Sequence, residues 1–256
     1  MVPVTVRWVL LRGLTREAAH WGSFGPELAA ATGGAVAAID LPGSGARRGE
    51  TAPWHVAALA QHCRQALPPH DGPTVLLALS LGAMVAIEWC RQAPGQVAGC
   101  VLVNTSAGGH SPFWRRLRPV HYPTVVRMLA GMDTAMREQR ILSITSARPQ
   151  QHAQEVARWI AIARSRPVSA GTAWRQLWAA ARYRAPASPP PVPLLVLASA
   201  GDRLVDPACS RGLARGWQVP LREHPWAGHD LPLDDPQWVI EQVAQWWGAQ
   251  GRHAPR

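Results

Sequence analysis

The feature that most constrains the fold is a regular alternation of short apolar runs with helical stretches. The short runs are rich in aliphatic and β-branched residues, which is typical of buried strands. They are "VTVRWVLL" (4–11), "AVAAID" (35–40), "PTVLLALS" (73–80), "VAGCVLVNTSA" (97–107), "PLLVLASAGD" (193–202) and "QVPLREHP" (218–225). Apolar strands that alternate with helices favour a parallel sheet covered on both faces, with right-handed crossovers. The sequence therefore predicts an α/β fold with a mostly parallel sheet of about six strands.

One long segment breaks this alternation. Residues 107–186 contain three or four helical stretches and nothing that resembles a strand, and the stiff run "PASPPPVP" (186–193) follows them. We interpret 107–186 as an all-helical cap, or lid, inserted between two strands. Residues 1–106 and 187–256 then form the core domain.

The excess charge of the chain lies in the same segment. The formal net charge is +10 without a single lysine, and 107–186 holds 13 arginines against three acidic residues. A surface of this charge attracts an acidic partner over a Debye length of about 8–10 Å. The simpler interpretation, which we favour, is that these arginines are the solvated faces of amphipathic helices in an arginine-biased composition.

Ser80 lies where a predicted strand meets a predicted helix, in the pattern Ala78-Leu79-Ser80-Leu81-Gly82. A tight turn alone would account for a serine and a glycine. Small residues two positions before and after a serine are also what a nucleophile elbow requires, because neighbouring backbone packs against them. Functional groups collect at the carboxyl ends of parallel strands. We therefore predict that Ser80 is a nucleophile.

A serine hydroxyl needs a base to take its proton and an acid to orient that base. Asp202 ends the apolar run 193–202, and His229 lies in a glycine-containing loop after the last predicted strand. Both follow Ser80 in the chain order nucleophile, acid, histidine. The sequence predicts a catalytic triad of Ser80, His229 and Asp202.

Other acids and histidines compete for these roles. Helix capping is the expected role of Asp206 and of Asp234 or Asp235, while Asp230 adjoins His229 directly. His224 lies inside a predicted strand, where a structural role is expected. The same role is expected of the remaining histidines, which include His20, His55 and His121.

Acyl transfer also needs backbone donors for the developing oxyanion. The N–H of Leu81, at the start of the helix after Ser80, is one candidate. The N–H of Leu14, in the loop after the first strand, is the other, because Gly13 lets the backbone turn there. An ordinary strand-to-helix loop would also explain Gly13.

Five short motifs together resemble the α/β-hydrolase superfamily, in its serine-nucleophile branch with a helical cap. They are "LLRGL" (10–14), "DLPGSG" (40–45), "LSLGAM" (79–84), "GDRLVDP" (201–207) and "GHDLP" (228–232). The resemblance spans about Val4 to Trp247. Two features depart from it: Arg12 stands where members commonly have histidine, and the usual leading β-hairpin is missing.

The resemblance implies a carboxylesterase-like enzyme that cleaves a carboxylic ester or thioester of small or medium size through an acyl-enzyme. A serine at the elbow argues against the dehalogenase and epoxide-hydrolase branches. Tryptophans that would line the pocket, or else pack in the core, are Trp21, Trp114 and Trp226.

The chain also resembles the methyl ester esterases of pimeloyl-acyl carrier protein, in its length and its basic cap. This likeness implies an alternative substrate, an acyl chain on an acidic acyl carrier protein. The cap arginines that would hold such a carrier are Arg115, Arg116, Arg164 and Arg166.

No cofactor or metal is expected, because the four cysteines are scattered without a CxxC pair and fit buried free thiols. No apolar run approaches the roughly 18 residues that a membrane span needs, and the N-terminus lacks the pattern of a signal peptide. We therefore expect a cytoplasmic protein that does not bind membranes. A pI of about 11.1 suggests nucleic-acid binding, but no groove-reading motif accompanies it. A non-catalytic ligand receptor on a hydrolase fold is the other open alternative.

Overall fold

The computed structural model describes residues 5–250 and contains one parallel sheet of six strands. The strands are β1 (Arg7–Leu11), β2 (Ala35–Ile39), β3 (Thr74–Leu79), β4 (Gly99–Val103), β5 (Leu194–Ser199) and β6 (Leu221–His224). Their order across the sheet is β2-β1-β3-β4-β5-β6, and every pair is parallel. The predicted fold class is confirmed. The first strand begins at Arg7, and Val4, which was predicted within it, lies outside the described residues.

Eleven α-helices accompany the sheet in the described part of the chain. They are α1 (Phe24–Thr32), α2 (Val56–Ala66), α3 (Leu81–Gln92), α4 (Phe113–Arg116), α5 (Tyr122–Leu129), α6 (Thr134–Thr145), α7 (Ala153–Ser165), α8 (Ala170–Arg182), α9 (Ala208–Trp217), α10 (Leu231–Asp234) and α11 (Pro236–Gln250). Short 3-10 turns occur at Ala18–Trp21, Gly45–Arg47, Pro94–Gln96 and Pro119–His121.

The inner strands β3, β4 and β5 are almost entirely apolar and fully buried because helices cover both faces of the sheet. In β1, Val9 and Leu11 point into a core that they share with α2, α3 and α9. Trp8 and Leu10 alternate with them and pack against α1 and α11 on the other face. Since side chains of a strand alternate between faces, burial on both sides requires a continuous apolar run.

The sheet order places a topological switch point between β1 and β3. These strands are neighbours, yet the helices that follow them, α1 and α3, lie on opposite faces of the sheet. A crevice opens at the carboxyl ends of the strands at such a point, and ligands bind there in open α/β sheets. The loop that follows β1 (residues 12–17, the β1 loop) and Ser80 both lie at this position.

Helices α4 to α8 all lie between β4 and β5, within the segment interpreted as a cap. The two ends of this helical segment meet beside the sheet, where the Gly108 N–H donates to Tyr183 O at 3.0 Å and the Ala185 N–H donates to Gly108 O at 3.2 Å. Five helices are present rather than three or four, although α4 has only four residues. The boundaries 107–186 stay a prediction.

The last strand is shorter than its sequence suggests. Gln218 adopts a left-handed conformation (φ 55°) that ends α9, and Pro220 has no N–H to donate to a ladder. Its carbonyl accepts the N–H of Val196 at 2.9 Å. Regular pairing therefore begins only at Leu221.

All four cysteines, Cys63, Cys90, Cys100 and Cys209, are buried and free. Among residues 5–250 no group of three or more His, Cys, Asp or Glu side chains is placed to hold a metal ion. No helix in that range combines the length and apolar character needed to cross a membrane.

Gly82 permits the closest approach between α3 and the end of β1. A Cβ at this position would lie 2.6 Å from Arg12 O and would also collide with Leu11 O. Both contacts are with backbone atoms, which cannot move without displacing β1. We predict that Gly82→Ala lowers the free energy of unfolding by about 1–3 kcal/mol, as measured by urea denaturation.

The matched control is Gly248→Ala, in α11, where an added Cβ meets no atom within 4 Å. That variant should be neutral or more stable by up to about 1 kcal/mol, because alanine favours the helix. Equal stability of the two variants would contradict the role assigned to Gly82.

Candidate active site

Ser80 occupies a strained turn between β3 and α3. Its backbone has φ 58° and ψ −117°, a conformation that non-glycine residues rarely adopt. The Ser80 N–H donates to Val103 O at 2.9 Å, and its carbonyl accepts the Thr105 hydroxyl at 3.0 Å. The end of β4 therefore holds the turn in place. Observed strain of this kind is concentrated at functional sites.

The loop after β1 passes directly beside this turn because Gly13 has no side chain. A Cβ at Gly13 would lie 3.2 Å from the Ser80 Cβ and 3.7 Å from its Oγ. The backbone that follows Gly13 is thus brought to the immediate neighbourhood of the Ser80 hydroxyl.

Asp202 and His229 form a buried pair. His229 Nδ1 lies 2.7 Å from Asp202 Oδ2, and the other carboxylate oxygen accepts the N–H groups of Leu204 and Val205 at 2.9 Å each. Because an ionised carboxylate only accepts hydrogen bonds, the proton of the neutral imidazole lies on Nδ1. The Nε2 atom is then an acceptor, as a general base requires.

The loop that carries His229 is held by two polar residues from outside it. The Asn104 side-chain amide donates to Gly228 O at 3.1 Å and to His229 O at 2.9 Å. The Asp234 carboxylate accepts the Gly228 N–H at 2.7 Å. Sequence reasoning did not single out Asn104, although a polar residue that ends an apolar strand (β4) at the carboxyl edge of the sheet was the available signal.

Ser80 and His229 line one cavity of about 180 Å³, together with side chains of the helical segment between β4 and β5. Within residues 5–250 the structure makes no hydrogen bond between the Ser80 hydroxyl and His229. Catalytic hydrogen bonds of this type are often long before substrate binds and tighten in the Michaelis complex. The structure thus brings the three residues of the predicted triad to one site, with the Asp202–His229 contact made.

The two predicted oxyanion donors, Leu14 and Leu81, line the same cavity. Leu81 is the first residue of α3, so its N–H has no partner in the helix. The Leu14 N–H also donates to no atom of the described residues. The next N–H, that of Thr15, donates to the Gln176 side chain of α8 at 2.9 Å, which ties this loop to the cap.

Aliphatic and methionine side chains form most of the wall of the cavity. They come from the core and from the cap, and are Leu79, Met84, Leu117, Val125, Met128, Ile141, Ile144, Leu177, Leu204 and Val205. The cavity is therefore suited to an apolar chain of modest size.

The three tryptophans predicted as pocket residues do not line this cavity, which corrects that expectation. Trp21 is buried and stacks on Phe24 at 5.3 Å between ring centroids. Trp114 is 51% exposed on the surface of the cap. Trp226 packs edge-on against His224, at 4.7 Å between centroids. Trp226 also lies under the Arg148 guanidinium, at 3.6 Å from its ring centroid, a long-range contact that no local pattern encodes.

His224 has the structural role expected of it. Its Nε2 lies 3.1 Å from Asp235 Oδ2, and its Nδ1 accepts the Ala227 N–H at 2.9 Å. Capping is also observed for two of the competing acids: Asp206 accepts the Ala208 N–H, and Asp235 accepts the Trp238 N–H.

Arg12 forms a buried ion pair with Asp230, next to His229. Two hydrogen bonds of 3.0 and 2.5 Å join the groups, and the guanidinium lies 4.8 Å from the ring centroid of Trp21. Burial alone would raise the pKa of the Asp230 carboxyl, but the charge and hydrogen bonds of Arg12 outweigh it and lower that pKa. The pair therefore connects the loop after β1 to the loop that carries His229.

The four arginines considered for an acidic partner differ in their environment. Arg116 donates to the carbonyls of Ala180 and Ala181, and Arg166 donates to Glu17. Arg164 is exposed, and Arg115 is exposed with Asp206 at 3.7 Å. The structure therefore leaves Arg115 and Arg164 at the surface and engages the other two within the fold.

Residues 8–242 match the model of the alpha/beta hydrolase family. This match covers most of the chain. The protein therefore belongs to the alpha/beta hydrolase family and is a hydrolase. No curated protein sequence is similar enough to give a match.

Solved structures share the fold at low sequence identity. A hydrolase from Pseudomonas aeruginosa PA01 is 21% identical, with a TM-score of 0.76, over 96% of this chain and 91% of that chain. The 2-hydroxy-6-oxo-6-phenylhexa-2,4-dienoate hydrolase of Rhodococcus sp. strain RHA1 is 20% identical, with a TM-score of 0.76, over 95% and 91%. A thermophilic esterase from Thermogutta terrifontis is 20% identical, with a TM-score of 0.70, over 96% and 91%.

We predict that breaking the Arg12–Asp230 pair destabilises the protein strongly. Either Arg12→Met or Asp230→Asn leaves one buried charge without its partner, which costs about 3–5 kcal/mol. The double variant Arg12→Met/Asp230→Leu should lose much less. As a control, Glu223→Gln breaks the exposed Arg211–Glu223 pair and should cost no more than about 1 kcal/mol. Urea denaturation measures all four variants.

The same pair predicts an acid dependence of stability. Because the folded-state pKa of Asp230 is lowered, its contribution is present above the ordinary aspartate pKa of about 3.9 and is lost as the pH falls through the folded value. The free energy of unfolding of the wild type should therefore fall relative to that of the double variant below about pH 4. A difference independent of pH between 6 and 3 would contradict this assignment.

Proposed function

We propose that this hydrolase cleaves a carboxylic ester or thioester through a serine acyl-enzyme. Ser80 is the nucleophile, His229 the general base and acid, and Asp202 the residue that orients His229. The observation that carries the proposal is the 2.7 Å contact between His229 Nδ1 and Asp202, in a cavity shared with the strained Ser80.

In the first half-reaction the Ser80 Oγ attacks the acyl carbon, and the hydroxyl proton passes to His229 Nε2. The negative charge that develops on the carbonyl oxygen is stabilised by the N–H groups of Leu14 and Leu81. When the tetrahedral intermediate collapses, the bond to the leaving group breaks. The departing alcohol or thiol takes the proton from His229, and the acyl group stays on Ser80.

In the second half-reaction a water molecule attacks the acyl carbon and gives a proton to His229 Nε2. Collapse of the second tetrahedral intermediate breaks the bond to Ser80 Oγ, which regains its proton from His229. The product is a carboxylic acid. Asp202 keeps the imidazole in one orientation and stabilises its charged form throughout.

An alternative substrate is a methyl ester on an acyl chain bound to an acidic acyl carrier protein. The support for it is the surface position of Arg115 and Arg164. On this alternative, Arg115→Gln/Arg164→Gln should lower kcat/KM for a carrier-bound methyl ester and weaken its dependence on salt. The control is turnover of the same methyl ester without the carrier protein. Unchanged salt dependence would remove the alternative.

We predict that a fluorophosphonate probe labels the wild type and that Ser80→Ala abolishes both labelling and ester hydrolysis. Loss of the nucleophile should lower kcat by about 10⁴-fold or more. The control is Ser106→Ala, because Ser106 is a buried serine that lines the same cavity.

A panel of aryl esters and thioesters of increasing acyl length measures the activity. Retained labelling in Ser80→Ala would show that another residue is the nucleophile. A wild type that neither reacts with the probe nor cleaves any member of the panel would favour the non-catalytic receptor.

A further inference from the structure

The loop that carries His229 leaves β6 and has to pass the ends of two strands on its way toward Ser80. In the sheet, β5 and β4 lie between β6 and β3. Neighbouring strands are about 4.8 Å apart, so the three spacings from β6 to β3 amount to about 14 Å. The position of His229 relative to Ser80 is therefore set by what the loop contacts at the ends of β5 and β4.

Gly201, just beyond β5, lets this loop cross the strand end closely. A Cβ at Gly201 would collide with Trp226 O and would lie 2.8 Å from Ala227 O. The Ala200 N–H donates to His224 O at 2.9 Å. These contacts bring the chain across β5, and the next residues of the loop reach the end of β4.

Asn104, the residue that follows β4, holds the loop there. Its side-chain Nδ2 donates to Gly228 O at 3.1 Å, to His229 O at 2.9 Å and to Ser199 Oγ at 2.8 Å. Gly228 and His229 are buried, and among residues 5–250 no other donor reaches either carbonyl. The Asn104 N–H donates to Leu197 O at 3.0 Å, so β5 fixes the backbone of Asn104.

The neighbours of Asn104 in the chain hold the turn that carries Ser80. Val103 O accepts the Ser80 N–H at 2.9 Å, and the Thr105 hydroxyl donates to Ser80 O at 3.0 Å. Three consecutive residues thus contact both the nucleophile turn and the histidine loop. Within the described part of the chain, Ser80 and His229 make no hydrogen bond to each other, so their separation depends on these contacts at the end of β4.

Asparagine meets two requirements at position 104 together. Its backbone has φ 43°, in the left-handed region that glycine, asparagine and aspartate tolerate best. Two consecutive carbonyls also need two N–H donors, which an amide nitrogen supplies and which glycine and an ionised aspartate lack. A buried carbonyl that loses its donor is costly, so the residue type at this position decides whether the loop stays in place.

We propose that Asn104 is a positioning residue that places His229 for proton transfer with Ser80. The inference rests on the proposed function, because it takes His229 as the general base. Asn104 does not line the cavity beside Ser80, so it acts through the histidine loop and not on substrate binding. A displacement of a catalytic group by about 1 Å can cost about 100-fold in rate.

The test uses Asn104→Gly and Asn104→Asp, which both tolerate the left-handed backbone and lack the two donors. Each should lower kcat for an aryl ester by about 10- to 100-fold and change KM little. Asn104→Asp should lose more, because its carboxylate oxygens would face two carbonyl oxygens. If Asn104→Gly does not fold, Asn104→Ser keeps one hydroxyl donor and should show a smaller loss of kcat.

Thr74→Val is the matched control for the loss of a buried hydrogen bond. The Thr74 hydroxyl is buried at the opposite end of β3 and accepts from Arg7 Nη2 at 3.0 Å. This variant should lower the free energy of unfolding and leave kcat unchanged. An unchanged kcat in Asn104→Gly and Asn104→Asp would overturn the positioning role.

A double-mutant cycle separates positioning from a general effect on the fold. His229→Ala removes the group on which Asn104 acts, so adding Asn104→Gly should not lower the residual rate of ester cleavage further. A merely structural role would lower the rate by the same factor in both backgrounds. That additive result would also overturn the inference.

Proton NMR gives a readout that needs no activity. The proton between His229 Nδ1 and Asp202 is buried and hydrogen-bonded, so it should give a downfield resonance that is absent from His229→Ala. Asn104→Gly should shift or broaden this resonance, and Thr74→Val should not. If the wild type cleaves esters while Asn104→Gly changes neither the resonance nor kcat, the inference alone fails. If the resonance responds to Asn104→Gly but the wild type cleaves no ester, the proposed function fails and the placement of the loop by Asn104 stands.

Discussion

The close approach between the β1 loop and the turn after β3 determines the rest of this site. Gly13 and Gly82 allow it, because a Cβ at either position would press on Ser80 or on the backbone of β1. The backbone of Ser80 is thereby confined between two strands and a helix in a conformation with φ 58°. The candidate oxyanion donors follow from the same contact, since Leu14 and Leu81 are the residues next to Gly13 and Ser80.

The sheet and the order of the candidate site residues were predictable from local pattern. Strands buried on both faces have to be apolar throughout, and Ser80, Asp202 and His229 lie at or just beyond strand ends. The tryptophans were not predictable, because neighbours distant in the chain decide whether an indole lines a cavity. Long-range ion pairs cannot be predicted from local sequence for the same reason. Arg12 and Asp230 are 218 residues apart, and Arg16 and Glu138 are 122 apart.

The ion pairs also change the interpretation of the basic cap. A count of charges along the chain suggests a positive outer surface, yet several cap residues pair with the core domain. Three such ion pairs between an arginine and a carboxylate are present in residues 5–250. Arg166 pairs with Glu17, Arg115 lies 3.7 Å from Asp206, and Glu138 pairs with Arg16. Part of the charge in residues 107–186 therefore pairs with residues outside that segment, and the Arg16–Glu138 and Glu17–Arg166 pairs do so at the wall of a cavity.

The hydrogen bond from the Thr15 N–H to the Gln176 side chain couples the loop after β1 to α8. Gln176 is fully buried in α8 and also reaches Ser44 of the core, so an outward swing of that helix would strip the β1 loop of its support. Under the proposed function, a displacement of α8 would therefore also release the backbone beside Leu14, whose N–H is a candidate oxyanion donor.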